Sequence, residues 1–212
     1  MLCGFESRQD ILSTAALRRV FAQQTLRQRD HKIANLVSRA AIRCQPLVLR
    51  RGVLGEPRWI VENLFLDSLL FLRVLPPGIT TLLDLGSGAG IPGIPIKLVR
   101  PAIQLVLVES RRRRASFLST AVRDLGLSGT RVVGGRAEDH LAELAGRFDA
   151  VVMRCAGEVS EMFPLAARLT RAGGVVVASG PPTPQDLRMG EWVSVEGAEA
   201  GRPRRFAVYR GA

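Results

Sequence analysis

The sequence predicts an α/β fold, an open doubly wound sheet carried behind a helical N-terminal extension. Three observations support this expectation. Short apolar runs alternate with helical patterns from residue 79 to residue 178, glycines cluster where the first of these strands turns into the first helix, and the alternation ends in two close strand candidates.

The first strand, 79–85, is aliphatic and β-branched, as a strand buried on both faces should be, and ends in Asp84-Leu85. Gly86, Gly88 and Gly90 follow at once. Glycine lets the backbone turn sharply and approach a ligand without a Cβ clash, and the helix pattern 91–99 then offers amide donors at its start. Further strands are expected at 104–109, 131–133, 148–153 and 174–178, separated by helices at 111–125, 138–145 and 159–171. That alternation implies parallel strands. Beyond Pro181-Pro182 the pattern changes to strands at 191–195 and 204–209 with no long helix between them, which implies an antiparallel hairpin.

The glycines admit two ligands. Gly88-x-Gly90-x-x-Gly93 also fits the dinucleotide fingerprint, with Glu109 ending the second strand at the acidic position expected to meet ribose hydroxyls. Asp84 tilts the choice, because a carboxylate two residues before Gly86 suits the amine-bearing methionine part of S-adenosyl-L-methionine and repels a pyrophosphate. Pro92 and Pro95 are tolerated in a first helical turn but remove donors that a diphosphate would use. Gly86, Ser87, Gly88, Gly90 and Ile91 form the expected cofactor loop, with Ser110 beside Glu109 and able to cap the next helix. Arg111 to Arg114 open that helix against its dipole, so they serve either the cofactor mouth, an RNA phosphate path or a solvated face.

Composition narrows the partners. The formal net charge is +11, and residues 1–78 hold 12 basic against 6 acidic residues, so the extension is the denser region of positive charge. A polyanion such as RNA is the natural partner, although 28 of the 30 basic residues are Arg, a bias that GC-rich coding also produces. Aromatic residues make up only 5% of the chain, which gives no stacking platform for single-stranded RNA. Cys3, Cys44 and Cys155 are odd in number and far apart, so reduced thiols and a cytoplasmic location are expected. No signal peptide is evident. His31 and His140 show no metal-ligand spacing, and the longest apolar stretch, 64–75, is broken by Asp67 and Arg73 and falls short of a membrane span.

The run from Asp84 to Ile96, Asp-Leu-Gly-Ser-Gly-Ala-Gly-Ile-Pro-Gly-Ile-Pro-Ile, with Arg100-Pro101 after it, resembles the GidB/RsmG-type methyltransferases. Phe65-Leu66-Asp67-Ser68-Leu69, Gly135-Arg136-Ala137-Glu138, the strand 148–154 and the closing stretch 204–210 are similar to further segments of that family. The resemblance covers roughly 60–212. It implies a class I, Rossmann-like methyltransferase domain at 61–212 after a basic extension at 1–60, S-adenosyl-L-methionine as cofactor, and guanine N7 of small-subunit ribosomal RNA as target, free or in the small ribosomal subunit. It also implies that Gly86 and Ile91 line the cofactor, that Ala137 and Glu138 bound its adenine with Arg136 of the same loop among the cofactor-binding residues, and that Arg154 stands as the catalytic group at the mouth where cofactor and RNA meet. An ion pair of Arg154 with Asp84 or Glu158 is the simpler reading of that arginine. The departures, Asn63-Leu64 in place of a basic residue and Ser179-Gly180 in place of Lys-Gly, bear on RNA recognition and spare the cofactor loop.

Guanine N7 explains why no catalytic dyad is visible, since its in-plane lone pair carries no hydrogen and needs no general base. A cytosine-C5 enzyme would instead need a thiol, and Cys155 lies at the corresponding strand end. A protein or small-molecule methyltransferase of the same fold, and a catalytically weak cofactor-binding RNA module, stay open as alternatives.

Overall fold

The computed structural model of the chain describes residues 61–154, 159–180, 186–197 and 203–211, with side chains from 64 onward. The extension 1–60, Cys155, Glu158 and Pro181-Pro182 lie outside the described residues.

A helical segment, α1, runs from a π-helical stretch at Val61–Leu66 through an α-helical turn at Asp67–Leu69 into a 3-10 stretch at Leu70–Arg73. It leads to seven strands: β1 (Thr81–Leu85), β2 (Gln104–Glu109), β3 (Thr130–Gly134), β4 (Phe148–Arg154), β5 (Thr170–Ser179), β6 (Glu191–Glu196) and β7 (Pro203–Arg210). Between the first five stand α2 (Gly93–Val99), α3 (Arg112–Asp124), a 3-10 turn at Ala137–His140 running into α4 (Leu141–Leu144), and α5 (Val159–Leu169). The sheet order is β3-β2-β1-β4-β5-β7-β6, with β1 to β5 parallel and β7 antiparallel to both β5 and β6. The expected parallel sheet and closing hairpin are both present.

Strand pleating sorts the core into two layers. Leu82, Leu105, Leu107, Ala150, Val152, Phe206 and Val208 face one side, where α1, α2 and α3 supply Phe65, Leu69, Phe71, Ile94, Ile96 and Leu118. Leu83, Leu85, Val108, Val151, Met153 and Val176 face the other, against Leu144 of α4 and Phe163, Ala166 and Leu169 of α5. The same parity sends Asp84 and Glu109 to the α2 and α3 side, and Arg154 and Arg204 to the α1 side.

Several expected boundaries moved, among them the start of the strand 79–85 to Thr81, the start of the helix 91–99 to Gly93 and the end of the helix 159–171 to Leu169. β5 begins at Thr170, because the chain continues pairing through a bulge at Arg171–Gly174: Phe148 lies opposite Thr170 while Ala150 lies opposite Val175. The glycines there look like a strand break in sequence but serve the bulge, Gly173 at φ +69°. The helix expected over 138–145 is instead a 3-10 turn followed by a single α-helical turn. At α3 the N-cap is Arg111, without a side-chain cap, so Ser110 does not cap the helix as expected. At the far end of the sheet, Asp149 accepts from the amides of Thr80 and Thr81 at 2.6 and 2.9 Å and from Arg171 Nε at 2.5 Å. Burial alone raises that carboxyl, but Arg171 and the backbone donors outweigh it and hold it well below the usual carboxylate range.

Candidate active site

β1 delivers Asp84 to the C-terminal edge of the sheet at the point where the chain leaves for α2, beside the end of β2. In open α/β sheets this edge is where ligands collect. The loop that follows turns three times through the left-handed region, at Gly86 (φ +72°), Gly88 (φ +59°) and Gly90 (φ +84°). The amides of Gly86 and Ser87 both donate to the Val108 carbonyl, at 2.9 and 3.0 Å, and Ser87 Oγ donates to the Asp84 carbonyl at 2.8 Å. The loop is thereby sewn to both central strands.

Two carboxylates set its shape. Glu109 accepts from the Gly88 amide through Oε2 at 2.9 Å and from the Arg111 amide through Oε1 at 2.8 Å. Its negative charge therefore stands at the entrance of α3, the favourable end of that helix dipole, and does the work expected of Ser110, which is exposed. Among the four expected arginines, Arg114 lies 3.8 Å from Glu109 while Arg111, Arg112 and Arg113 are exposed.

Asp84 lies beneath the loop rather than at its surface. Its Oδ2 accepts from the Gly93 amide at 2.8 Å at the start of α2, and Oδ1 is buried with no hydrogen-bond partner among the described residues. A Cβ on Gly93 would stand 2.7 Å from Asp84 Oδ2 and 2.8 Å from a Leu107 methyl, so glycine is what lets α2 come this close. Burial pushes the Asp84 carboxyl up to about 7; the Gly93 amide opposes the rise and the Glu109 charge adds to it. An orphaned acceptor next to a glycine loop fits a ligand that brings a positive donor such as an ammonium group, and it does not fit a phosphate.

The third strand end lies alongside. The Gly135 amide donates to the Glu109 carbonyl at 3.1 Å, which draws the turn after β3 against β2. Ala137 is buried there, and Arg136 and Glu138 are exposed beside it. Ile91 is half-buried at the other wall of the loop. Asp84, Gly86, Ser87, Gly88, Gly90, Ile91, Glu109 and the Arg136–Glu138 turn thus gather along one edge of β1, β2 and β3. Arg154 ends β4 on the neighbouring edge, where it forms an ion pair with Asp67; the expected alternative partner Glu158 lies outside the described residues.

Arg154 Nη2 lies 3.2 Å from Asp67 Oδ2, and Nη1 donates to the Leu64 carbonyl at 3.3 Å. Arg204 of β7 meets the same carboxylate. Asp67 and Arg204 were invisible as site residues in the sequence. Strand parity alone places Arg154 and Arg204 on one face, but nothing in the pattern of α1 says that it covers that face. Among the described residues, no group of three His, Cys, Asp or Glu side chains is placed to hold a metal ion, and no helix is long and apolar enough to cross a membrane.

Comparison with solved structures finds the same architecture. A precorrin-6Y C5,15-methyltransferase from Geobacter metallireducens superposes with a TM-score of 0.52 at 15% identity, over 69% of this chain and 88% of its own. A hypothetical protein from Thermus thermophilus gives 0.52 at 27% identity, over 66% and 80%. In sequence, the chain is similar to proteins named ribosomal RNA small subunit methyltransferase G. The one from Stenotrophomonas maltophilia is 38% identical over 58% of this chain, and the one from Rubrobacter xylanophilus 38% over 67%. That from Aromatoleum aromaticum is 35% identical over 82%. These alignments span 56%, 57% and 76% of the relatives' own lengths. The model of the GidB family, described as rRNA small subunit methyltransferase G, matches residues 52–183, a span that takes in α1, the glycine loop, Glu109 and Arg154. With its class I methyltransferase fold and that match across more than half of its length, the chain belongs to the GidB family.

Proposed function

We propose that the chain is an S-adenosyl-L-methionine-dependent methyltransferase of the cytoplasm that modifies guanine N7 in small-subunit ribosomal RNA, as free RNA or within the small subunit. The observation that carries this reading is the loop from Asp84 to Gly93, with three left-handed glycines and one orphaned buried carboxylate oxygen. The relatives' names supply the RNA. The basic balance of the chain, +11, agrees with a polyanionic substrate.

Bound in this site, the cofactor supplies a methyl group made electrophilic by its sulfonium. Asp84 and the loop from Gly86 to Ile91 would hold the methionine part. Glu109 holds the Gly88 amide and the α3 entrance in place, where it would face the ribose, and the turn at Arg136, Ala137 and Glu138 would bound the adenine. With the methyl donor held there, the lone pair of guanine N7 would displace sulfur from the methyl carbon, the bonding pair leaving with sulfur. No proton moves, so no general base is required. What remains for the protein is alignment, which is where most of the acceleration in such a reaction originates. Arg154, at the end of β4 with its side chain only 15% exposed, orients the target base or its phosphate at the mouth.

Tritiated methyl donor offered to small subunits, total RNA, protein and metabolite extract tests the reading. Label should enter small-subunit RNA and be released as N7-methylguanine. Cys155→Ala should keep most of the turnover, whereas Arg154→Ala should lose about 100-fold through misplacement. A covalent enzyme–RNA adduct, or loss of turnover in the Cys155 variant with cofactor binding intact, would replace N7 attack with thiol chemistry.

A further inference from the structure

Asp67 stands apart from the cofactor loop, on α1, yet it is a buried carboxylate between two guanidinium groups from different strands. Arg204 Nη2 donates to Oδ2 at 3.0 Å, and its Nε sits 2.6 Å from Oδ1, off the N–H axis, as a charge contact. Arg154 Nη2 shares Oδ2 at 3.2 Å. Leu64, one turn earlier on α1, holds Arg154 a second time through its carbonyl. Two points of contact from one helical segment fix the plane of the Arg154 guanidinium as well as its position.

We infer that Asp67 is a positioning residue for Arg154, with Arg204 holding the Asp67 carboxylate in place. This rests on the reading of the β1 to β4 edge as the methyl-transfer site. Arg204 donates one hydrogen bond to Oδ2 and sets its Nε charge beside Oδ1, which draws both carboxylate oxygens toward β7. Arg154 is then held at the end of β4 by an acceptor that cannot swing away.

A purely architectural role is the competing explanation, and the packing argues against it. α1 is already anchored by Phe65, Leu66, Leu69, Leu70 and Phe71, all buried, and Phe71 meets Phe206 of β7 edge to face at 4.7 Å. Arg73 Nη1 adds a hydrogen bond to the Glu196 carbonyl at 3.0 Å. Buried ion clusters contribute little net stability compared with apolar packing of the same volume, and what they supply is direction. Strand parity explains why the cluster forms here: residue 154 continues the face of Ala150 and Val152, and residue 204 that of Phe206 and Val208, both beneath α1.

The experiment uses the full chain, small subunits, and the variants Asp67→Asn, Asp67→Glu, Arg154→Ala and the Asp67→Asn/Arg154→Ala double. Asp67→Asn keeps the shape and removes the charge. It should lower kcat about 10- to 100-fold, leave affinity for S-adenosylhomocysteine within about twofold, and have no further effect in the Arg154→Ala background. Asp67→Glu should recover part of the rate. Losses that multiply in the double variant, or a fall in S-adenosylhomocysteine affinity parallel to that in kcat, overturn the inference. A second readout does not depend on turnover. The Arg154 Nη–H signals in 15N NMR, assigned by their loss in Arg154→Lys, should be protected in the parent and exchange-broadened in Asp67→Asn; unchanged signals overturn the inference. Absence of methyl transfer to RNA by the parent would overturn the proposed function, while the NMR comparison would still decide the role of Asp67. If Asp67→Asn does not fold, Arg204→Lys, which keeps the charge and loses the paired contacts on Oδ1 and Oδ2, carries both comparisons.

Discussion

Replacing Asp84 by Asn should change how the stability of this protein depends on pH, in a direction that follows from the site. The folded chain holds the Asp84 carboxyl at about 7, against an ordinary value of 3.8, chiefly because burial penalises its charge. The gap of roughly three units corresponds to something on the order of 4 kcal/mol, at 1.36 kcal/mol per unit. Between those two values the folded chain keeps a proton that the unfolded chain has released. Folded protein binds more protons there, so stability falls as pH rises through the window and stays lowered above it. Asparagine has no such proton. Urea unfolding followed by circular dichroism from pH 4.5 to 8.5 should show the parent losing about 2–4 kcal/mol relative to Asp84→Asn as pH rises. Glu109 is the charged group that faces Asp84 from β2; its repulsion of the Asp84 carboxylate adds to the shift and is removed with it in Asp84→Asn. Asp149 works in the opposite sense: its lowered carboxyl contributes stability above the ordinary carboxylate value, which is lost only as pH falls below it. The two windows do not overlap. Parent and variant curves that stay parallel within about 0.5 kcal/mol across the range would refute the account of Asp84 as a buried, desolvated acid.

Two further outcomes can be checked directly. Gly88→Val should abolish binding of S-adenosylhomocysteine in calorimetry, because φ +59° costs a β-branched residue about 1–3 kcal/mol and its side chain fills the approach to the loop; retained binding, or tighter binding of NAD by the parent, contradicts the assignment of the loop. Changing Arg18, Arg19, Arg27 and Arg29 to Gln should weaken RNA affinity and flatten its salt dependence by up to about 0.9 in slope for each duplex phosphate contact removed, with S-adenosylhomocysteine affinity unchanged; an unaltered slope returns these arginines to a solvated face.

The order of strands and helices, the loop from Asp84 to Gly93 and the acidic end of β2 were all legible in the amino-acid sequence, because each is written in local pattern. Aliphatic runs specify buried strands, left-handed turns demand glycine, and an alternating chain of such elements can wind only into a parallel sheet. The closing hairpin was legible for the same reason, as two strands with no crossover helix between them. Other features needed the tertiary structure. Whether Ser110 or Glu109 serves the entrance of α3 depends on where β2 places a carboxylate relative to two amides, a matter of a few ångströms that spacing does not encode. The bulge in β5 reads as a break because glycine is ambiguous between the two. Asp84 was expected to meet a ligand, but its complete burial, and with it the raised pKa, depends on how closely α2 settles on β1 over Gly93. The cluster of Asp67, Arg154 and Arg204 joins residues as far as 137 positions apart. Local pattern determined the face to which each strand turns its arginine, and only the packing of α1 across that face decided that one carboxylate would meet both, because side-chain pairing across elements is settled by shape and not by sequence distance.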